Sequence, residues 1–103
     1  MHIVNAAILE QWNGLTDEQV VALVLTGQTA LFEVLMRRHN ERLYRTARAI
    51  TLGEQDAEDA MLQGYLNAYG RLREFNGKGR FVTWLTRIVI LESLERVGRP
   101  AAR

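Results

Sequence analysis

A single proline, Pro100, occurs in this chain of 103 residues, and it lies close to the C-terminal end. Proline is the residue that most strongly interrupts an α-helix, so long helices are permitted over nearly the whole sequence. Apolar residues recur at helical spacing in four segments, and no alternating strand pattern reaches comparable strength. The sequence therefore predicts an all-α protein, a compact bundle of about four helices, in one domain.

The helix boundaries are indicated by capping residues and glycines. Thr16 precedes two acidic residues and is a good N-cap, because its hydroxyl can accept a hydrogen bond from the first helical turn. Gly27 and Gly53 stop the first two helices. The predicted helices follow Thr16 as far as Thr26, run from about Thr29 to Ile50, from about Gln55 to Leu72, and from Phe81 to about Val97.

Apolar stripes on the second and third helices predict the core. The fourth helix is apolar nearly all round at residues 88–91, which is typical of a central helix or of one with an extra face for a partner. The stripe residues are Leu31, Leu35, Leu43 and Ala47 on the second helix, and Ala57, Ala60, Met61, Gly64, Tyr65, Ala68, Tyr69 and Leu72 on the third.

Several classes of function are disfavoured by residue types and spacing. The chain has no cysteine, and His2 and His39 have no ligand-like spacing, so neither a metal site nor a cofactor is expected. The glycines around Lys78 lack the spacing of a phosphate-binding loop. No catalytic constellation is found, and we predict no enzymatic activity. No apolar run is long enough to span a bilayer and the N-terminus does not resemble a signal peptide, which predicts a cytoplasmic protein without a membrane partner.

The net charge of +1 conceals a strong sorting of charges along the chain. Residues 28–50 hold five arginines, residues 51–70 hold four acidic residues and no base, and residues 71–103 hold eight bases against three acids. Such a chain can present an acidic face to one partner and a basic face to another, although solvated helix faces would give the same pattern.

The segment 75–87 joins a glycine-rich turn to the start of the fourth helix, and it interleaves aromatic and basic residues. Single-stranded nucleic acid is bound by this combination, because aromatic faces stack on unpaired bases and cations follow the phosphates. Phe81 and Leu85 are predicted to be core residues, since they have core spacing. Trp84 is predicted to pack on one side and to stay accessible on the other.

Short sequence blocks occur in one order between residues 16 and 97. They include Ala30-Leu31-Phe32 with Leu35, Arg42-Leu43-Tyr44-Arg45 with Ala47, Asp56-Ala57-Glu58-Asp59, Tyr65-Leu66-Asn67-Ala68-Tyr69, Phe75 with Gly77, and Phe81 with Thr83-Trp84-Leu85 and Arg87-Ile88. Together they resemble domain 2 of the extracytoplasmic-function (ECF) sigma factors of the sigma-70 family.

That resemblance implies a role in transcription initiation with two partners. The helix that begins near Asp56 and the helix before it would dock on the clamp coiled coil of the largest subunit of core RNA polymerase. The loop and the last helix would bind the unpaired non-template strand of the promoter −10 element and so melt the promoter, and an anti-sigma factor is a further candidate partner. The implied polymerase contacts are Asp56, Glu58, Asp59, Leu62 and Gln63; the implied DNA contacts are Phe75, Asn76, Gly77 and Lys78 around a flipped base, and Arg80, Thr83, Trp84 and Arg87 along the strand.

Three positions depart from the family pattern. Leu62 and Gln63 stand where the family usually has Gln followed by an acid, and Leu91 stands where it commonly has Asn. These substitutions are consistent with drift tolerated in a divergent member of the family, and they also leave a second hypothesis open, a sigma-like protein-interaction module (an anti-sigma target or decoy) with weakened polymerase or DNA binding. A helical regulator that reads duplex DNA is a third.

The resemblance also predicts how the chain is divided. We expect an N-terminal segment at 1–15, the sigma domain at 16–97 and a tail or linker at 98–103. Full sigma factors of this type carry a second helical domain, for which these residues have no room, so the chain is either an excised or a stand-alone domain.

Overall fold

The computed structural model describes residues 12–98, and in these residues every regular element is helical. The all-α prediction is confirmed, with one short helix more than the four that were expected. The elements are α1 (Asp17–Leu25), a 3₁₀ turn (Thr29–Leu31), α2 (Phe32–Ile50), α3 (Glu54–Gly70), α4 (Leu72–Phe75) and α5 (Phe81–Gly98).

The first helix begins as its sequence predicts. The Thr16 hydroxyl accepts a hydrogen bond from the Gln19 amide N–H at 3.1 Å, and the Gln19 side chain accepts one from the Thr16 N–H at 2.8 Å. This reciprocal capping box satisfies two of the amide donors that a helix start leaves unpaired. Asp17 then joins α1 to α2, because its carboxylate lies 2.9 Å from the Arg38 guanidinium and 2.8 Å from Nε2 of His39.

The core lies where α5 packs against α2 and α3, as expected of a central helix, while Leu91 of its apolar run is 60% exposed, as expected of a helix with an extra apolar face. The predicted stripes are buried with one exception, Tyr69, which is 45% exposed. Its ring packs edge-on against Phe32 at a centroid distance of 5.3 Å but lies at the rim of the bundle. The buried stripe residues are Leu31, Leu35, Leu43 and Ala47, and Ala57, Ala60, Met61, Gly64, Tyr65, Ala68 and Leu72.

The third helix ends earlier than its apolar stripe indicates. The backbone leaves helical geometry at Arg71 (φ −114°, ψ 23°), and α4 follows as a separate turn of helix. Glu74 and Phe75, which were expected in a loop, are therefore helical. Leu72 and Phe75 are both buried in the core.

The proposed division at 1–15, 16–97 and 98–103 stays a prediction, because residues 1–11 and 99–103 lie outside the described part. Trp12 and Leu15, within the expected N-terminal segment, pack against the core, and α5 continues to Gly98. None of the helices between residues 12 and 98 is long and apolar enough to cross a membrane.

Candidate functional site

The loop 76–80 is built from backbone conformations that favour glycine and asparagine. Asn76 ends α4 in the left-handed region (φ 60°), and Gly77 and Gly79 also have positive φ (69° and 77°). All five residues of the loop are exposed, so Lys78 and Arg80 extend into solvent between two helices. The sequence thus creates a short basic projection on a rigid base.

An aromatic cluster lies directly beneath this loop. Phe75 and Phe81 are 3% and 0% exposed, and their rings meet edge to face at 5.6 Å. Trp84 packs on both, at 5.7 Å from Phe75 and 5.8 Å from Phe81, yet it stays half-buried. The predictions for Phe81, Leu85 and Trp84 are confirmed, since Leu85 is also fully buried. Phe75, which was expected to contact a flipped base, is instead buried beneath the loop, so its ring offers no open face for stacking.

The outer face of α5 carries the remaining predicted DNA contacts. Thr83 and Arg87 are exposed and lie four residues apart, so they share one face. Beside them, a groove of about 400 Å³ lies between α5 and α2, with Arg42 on its α2 side. Arg42 therefore joins this basic face, which sequence reasoning missed because the register between α2 and α5 is a tertiary property.

A second cleft, of about 310 Å³, lies under the loop on the other side, between α1 and α4. Asn76, Gly77 and Phe75 line it, as does Glu18 from α1. The Glu18 carboxylate accepts a hydrogen bond from the Phe81 amide N–H through Oε2 at 2.6 Å, and it thereby caps α5. No sequence signal pointed to Glu18, because the two residues lie 63 positions apart.

The five predicted polymerase contacts divide between two sides of α3. Glu58 and Leu62 lie on the side that faces α2, and Leu62 is 60% exposed. Gln63 points toward α5 instead: its amide donates to Asn67 at 3.0 Å, and Asn67 donates to Glu92 at 2.8 Å. Asp56 and Asp59 lie seven and four residues before Gln63, so they share its side of the helix, and both are partly buried. Asp59 accepts a hydrogen bond from the Gln55 side chain at 2.9 Å. Glu58 and Leu62 therefore border one open groove together.

That groove lies between α2 and α3 and has a volume of about 650 Å³. Acidic side chains, Glu41 and Glu58, stand on its two sides, and the neutral phenol of Tyr65 lies at its base. Tyr65 is 8% exposed and its hydroxyl donates to Oδ1 of Asn40 at 2.6 Å. Burial raises the pKa of Tyr65 from 10.0 to about 12, so the phenol stays uncharged even at alkaline pH values where an exposed tyrosine ionises. The resemblance implied that the helix before α3 also contacts the polymerase, but it named no residue there; the α2 side of this groove is formed by Asn40, Glu41 and Tyr44.

Between residues 12 and 98, no group of histidine and acidic side chains is arranged to hold a metal ion. The described surface instead offers two chemically distinct regions. One is basic and partly aromatic, at the loop 76–80 and the outer face of α5. The other is acidic and apolar, at the groove between α2 and α3. Regions of this kind bind polymers and proteins by charge and shape.

Comparison with known proteins gives one consistent family. The family model described as Sigma-70 region 2 matches residues 35–102. The chain is 32% identical over 87 residues to the ECF RNA polymerase sigma factor SigM of Mycobacterium tuberculosis, an alignment that covers 84% of this chain and 44% of that protein. It is 30% identical over 74 residues to the RNA polymerase sigma-H factor of Pseudomonas aeruginosa, which covers 72% of this chain and 38% of that protein.

The chain thus spans less than half the length of the curated relatives it matches. No solved structure gives a significant match. The family model nevertheless covers well over half of the chain, in the same region as the sequence blocks that resemble ECF sigma factors. The helical fold and both sigma factor relatives agree with it. The chain therefore belongs to the sigma-70 family as a region 2 domain of the ECF type.

Proposed function

We propose that this domain acts in transcription initiation by holding the unpaired non-template strand of a promoter −10 element while it is bound to core RNA polymerase. The proposed role is one of binding, without catalysis, and its place is the cytoplasm. The observation that carries the proposal is the half-buried Trp84, which packs on Phe75 and Phe81 directly beside the exposed cations of the loop. A stacking face next to phosphate-binding cations is what unpaired DNA requires.

The residues expected to contact DNA have different roles in this proposal. Lys78, Arg80 and Arg87 bind phosphates, Thr83 adds a hydroxyl, and Trp84 stacks on a base. Asn76 and Gly77 border the cleft under the loop, and Phe75 fixes the position of both the loop and Trp84. Arg42 extends the same cationic track onto α2.

The polymerase contact is assigned to the groove between α2 and α3. Its walls combine apolar surface with Glu41 and Glu58, so its complement is a helical segment that carries both apolar and basic side chains. A helical coiled coil of the polymerase clamp, which the family resemblance implies, has the shape to enter a groove between two helices. Asp56, Asp59 and Gln63 border the neighbouring side of α3 and contribute long-range charge and polarity rather than the groove itself.

The DNA part of the proposal is tested by fluorescence anisotropy with single-stranded −10 oligonucleotides at low salt. We expect measurable binding. The logarithm of the association constant should fall linearly with the logarithm of the salt concentration, with a slope of about −0.7 for each neutralised phosphate. Trp84→Ala should weaken binding by about 1–3 kcal/mol, because one stacked base is lost, while Trp84→Phe keeps an aromatic face and most of the affinity.

A thermal melt of each variant separates loss of binding from loss of fold, since Trp84 also contributes to packing. Folded Trp84→Ala that binds as tightly as the wild type would contradict the stacking role. Tighter binding to duplex than to single strands would favour the duplex-reading alternative.

A second function, a sigma-like docking module with weakened polymerase binding, is favoured by one specific observation. Leu62 and Leu91 are each 60% exposed at positions where the family usually has polar residues. A pull-down with core RNA polymerase distinguishes the two functions. Binding by the wild type supports the first; failure to bind, restored by Leu62→Gln together with Gln63→Glu, supports the second.

A further inference from the structure

The cleft between α1 and the loop 76–80 contains the carboxylate of Glu18, which has no role in the proposed function. Glu18 lies near the start of α1 and is partly buried, and its Oε2 atom accepts the Phe81 N–H at 2.6 Å. This hydrogen bond fixes the carboxylate at the point where the loop joins α5. Its second oxygen, Oε1, has no hydrogen-bond partner among residues 12–98. A fixed acceptor with a free oxygen is therefore held at the edge of an open cleft.

The rest of the cleft has the chemistry of a site for a flat heterocycle. Val21, Ala22 and Leu25 form an apolar wall from α1, and Phe75 contributes an aromatic side chain from α4. The amide of Asn76 adds a polar group that has no side-chain hydrogen bond within the described chain. The volume of about 310 Å³ is at the small end of the range for ligand-binding pockets.

Cations stand around the entrance. Arg73 lines the cleft, and Lys78 is exposed in the loop two residues after Asn76. A strand that follows the basic face of α5 and the loop would thus bring a phosphate to the entrance and a base into the cleft. Enzymes and other proteins that extrude a base read it through hydrogen bonds to its Watson–Crick edge and through contact with apolar faces.

We propose that Glu18 is a specificity-determining residue, which accepts a hydrogen bond from the exocyclic amino group of an unpaired adenine or cytosine in this cleft and so selects against thymine. Adenine and cytosine each carry an amino donor where thymine carries the carbonyl oxygen O4, an acceptor that a carboxylate repels. The inference rests on the proposed binding of unpaired DNA and names a base preference at that same site.

The substitution Glu18→Gln tests the proposal without removing the helix cap. The glutamine carbonyl oxygen can still accept the Phe81 N–H, whereas its amide NH₂ replaces the free acceptor with a donor. The probes are fluorescein-labelled oligothymidylate about twelve nucleotides long and the same oligonucleotide with one central dA or dC. Wild-type protein should bind the substituted probes about tenfold more tightly than oligothymidylate, which is what one charge-assisted hydrogen bond contributes. In Glu18→Gln that preference should vanish or reverse toward thymine.

Glu74→Gln is the matched control. Glu74 is an exposed carboxylate on α4 that pairs with Arg71 at 3.1 Å and does not line the cleft, so its substitution changes the net charge equally. Because a negative charge near DNA is lost, Glu74→Gln should bind every probe slightly more tightly and keep the ratio between probes. Glu18→Gln should gain slightly on oligothymidylate but lose affinity for the dA and dC probes, so only this variant changes the ratio.

The outcomes separate the inference from the function on which it rests. Equal binding of all probes by the wild type, or an unchanged preference in a Glu18→Gln variant with wild-type melting temperature, makes Glu18 only a helix cap and overturns the inference while DNA binding stands. Absence of binding to every probe at low salt overturns the proposed function together with the inference.

Discussion

Tyr65 shows at the scale of one residue how the groove between α2 and α3 is kept neutral at its base. Its ring is part of the core, and its hydroxyl donates to Oδ1 of Asn40 at 2.6 Å. A phenolate there would be desolvated, so the neutral form is favoured and the pKa of Tyr65 is raised. The fold therefore presents a hydrogen-bonded phenol where an approaching helix would meet the base of the groove.

The raised pKa of Tyr65 predicts how stability depends on alkaline pH. The folded protein keeps the phenolic proton up to a pKa of about 12, whereas the unfolded chain releases it near 10.0. The unfolded state thus binds fewer protons between these values, and the free energy of unfolding contributed by Tyr65 is complete below pH 10 and falls as pH rises toward 12. Urea titrations across this interval should show that decline in the wild type.

Tyr65→Phe is the test of that assignment. It removes the decline due to this phenol, and at neutral pH it lowers stability by about 1 kcal/mol through the lost hydrogen bond to Asn40. Absorbance of tyrosinate in the folded protein should likewise lose its highest-pH step in Tyr65→Phe and keep it in Tyr69→Phe. A highest-pH step that survives in Tyr65→Phe would contradict the assignment.

At the scale of helices, the contact between α3 and α5 depends on one close approach. A Cβ atom added to Gly64 would lie 2.9 Å from Cγ2 of Val89, a fully buried and β-branched residue whose rotamer is restricted. The two helices can therefore approach this closely only because Gly64 has no side chain. The hydrogen bond of Asn67 to Glu92, at 2.8 Å, joins the same two helices nearby.

We predict that Gly64→Ala destabilises the domain despite the better helix propensity of alanine. Overpacking against Val89 costs about 1–3 kcal/mol, and alanine returns about 1 kcal/mol of propensity, so the net loss is up to about 2 kcal/mol in chemical denaturation. Gly70→Ala is the control, because Gly70 ends α3 with nothing within 4 Å of the added methyl group. The double variant Gly64→Ala with Val89→Ala should lose less stability than the two single variants lose in total, because the smaller residue at position 89 relieves the overpacking. Equal stability of Gly64→Ala and wild type would show that the helices separate without cost.

The helices also show what sequence patterns can and cannot predict. The stripe on α2 and the cap at Thr16 depend on neighbours within one or two turns, and both were predicted. The break at Arg71 was not predicted, because the apolar stripe continues across it to Leu72; Gly70, directly before it, is the local residue type that favours a helix end. The bond between Glu18 and Phe81 joins distant segments, so it exists only once the bundle has formed.

The candidate site was predictable to the same extent and for the same reason. The loop 76–80 and Trp84 are encoded locally by turn residues and helical spacing, so the sequence placed them together. Arg42 and Glu18 reach the same region from α2 and α1, and their positions depend on how the helices pack. Gln63 was assigned to a surface with Leu62, but adjacent residues on a helix point in directions about 100° apart.

At the scale of the whole molecule, the charge sorting of the sequence becomes a spatial separation. Arg42 lines the groove beside α5, and Glu41, its neighbour in sequence, lines the groove between α2 and α3. Helix α2 therefore carries one wall of the basic face and one wall of the acidic groove. A domain with this arrangement can hold a nucleic acid and a protein at once, because the two partners approach α2 from different directions.

That arrangement predicts that the two binding activities separate by mutation. Arg42→Gln should weaken binding to single-stranded DNA and reduce the magnitude of its salt slope by about 0.7, since one phosphate contact is lost. Glu58→Lys should leave DNA affinity unchanged or higher and weaken binding to core RNA polymerase by about tenfold or more, because it reverses a charge at the groove. Arg37→Gln is the matched control for Arg42: Arg37 is a cation on the same helix that pairs with Glu33 at 3.1 Å and lies outside both grooves. If Arg42→Gln and Glu58→Lys each impaired both partners equally in folded protein, DNA and polymerase would share one surface, and the division of tasks between the loop and the groove would be wrong.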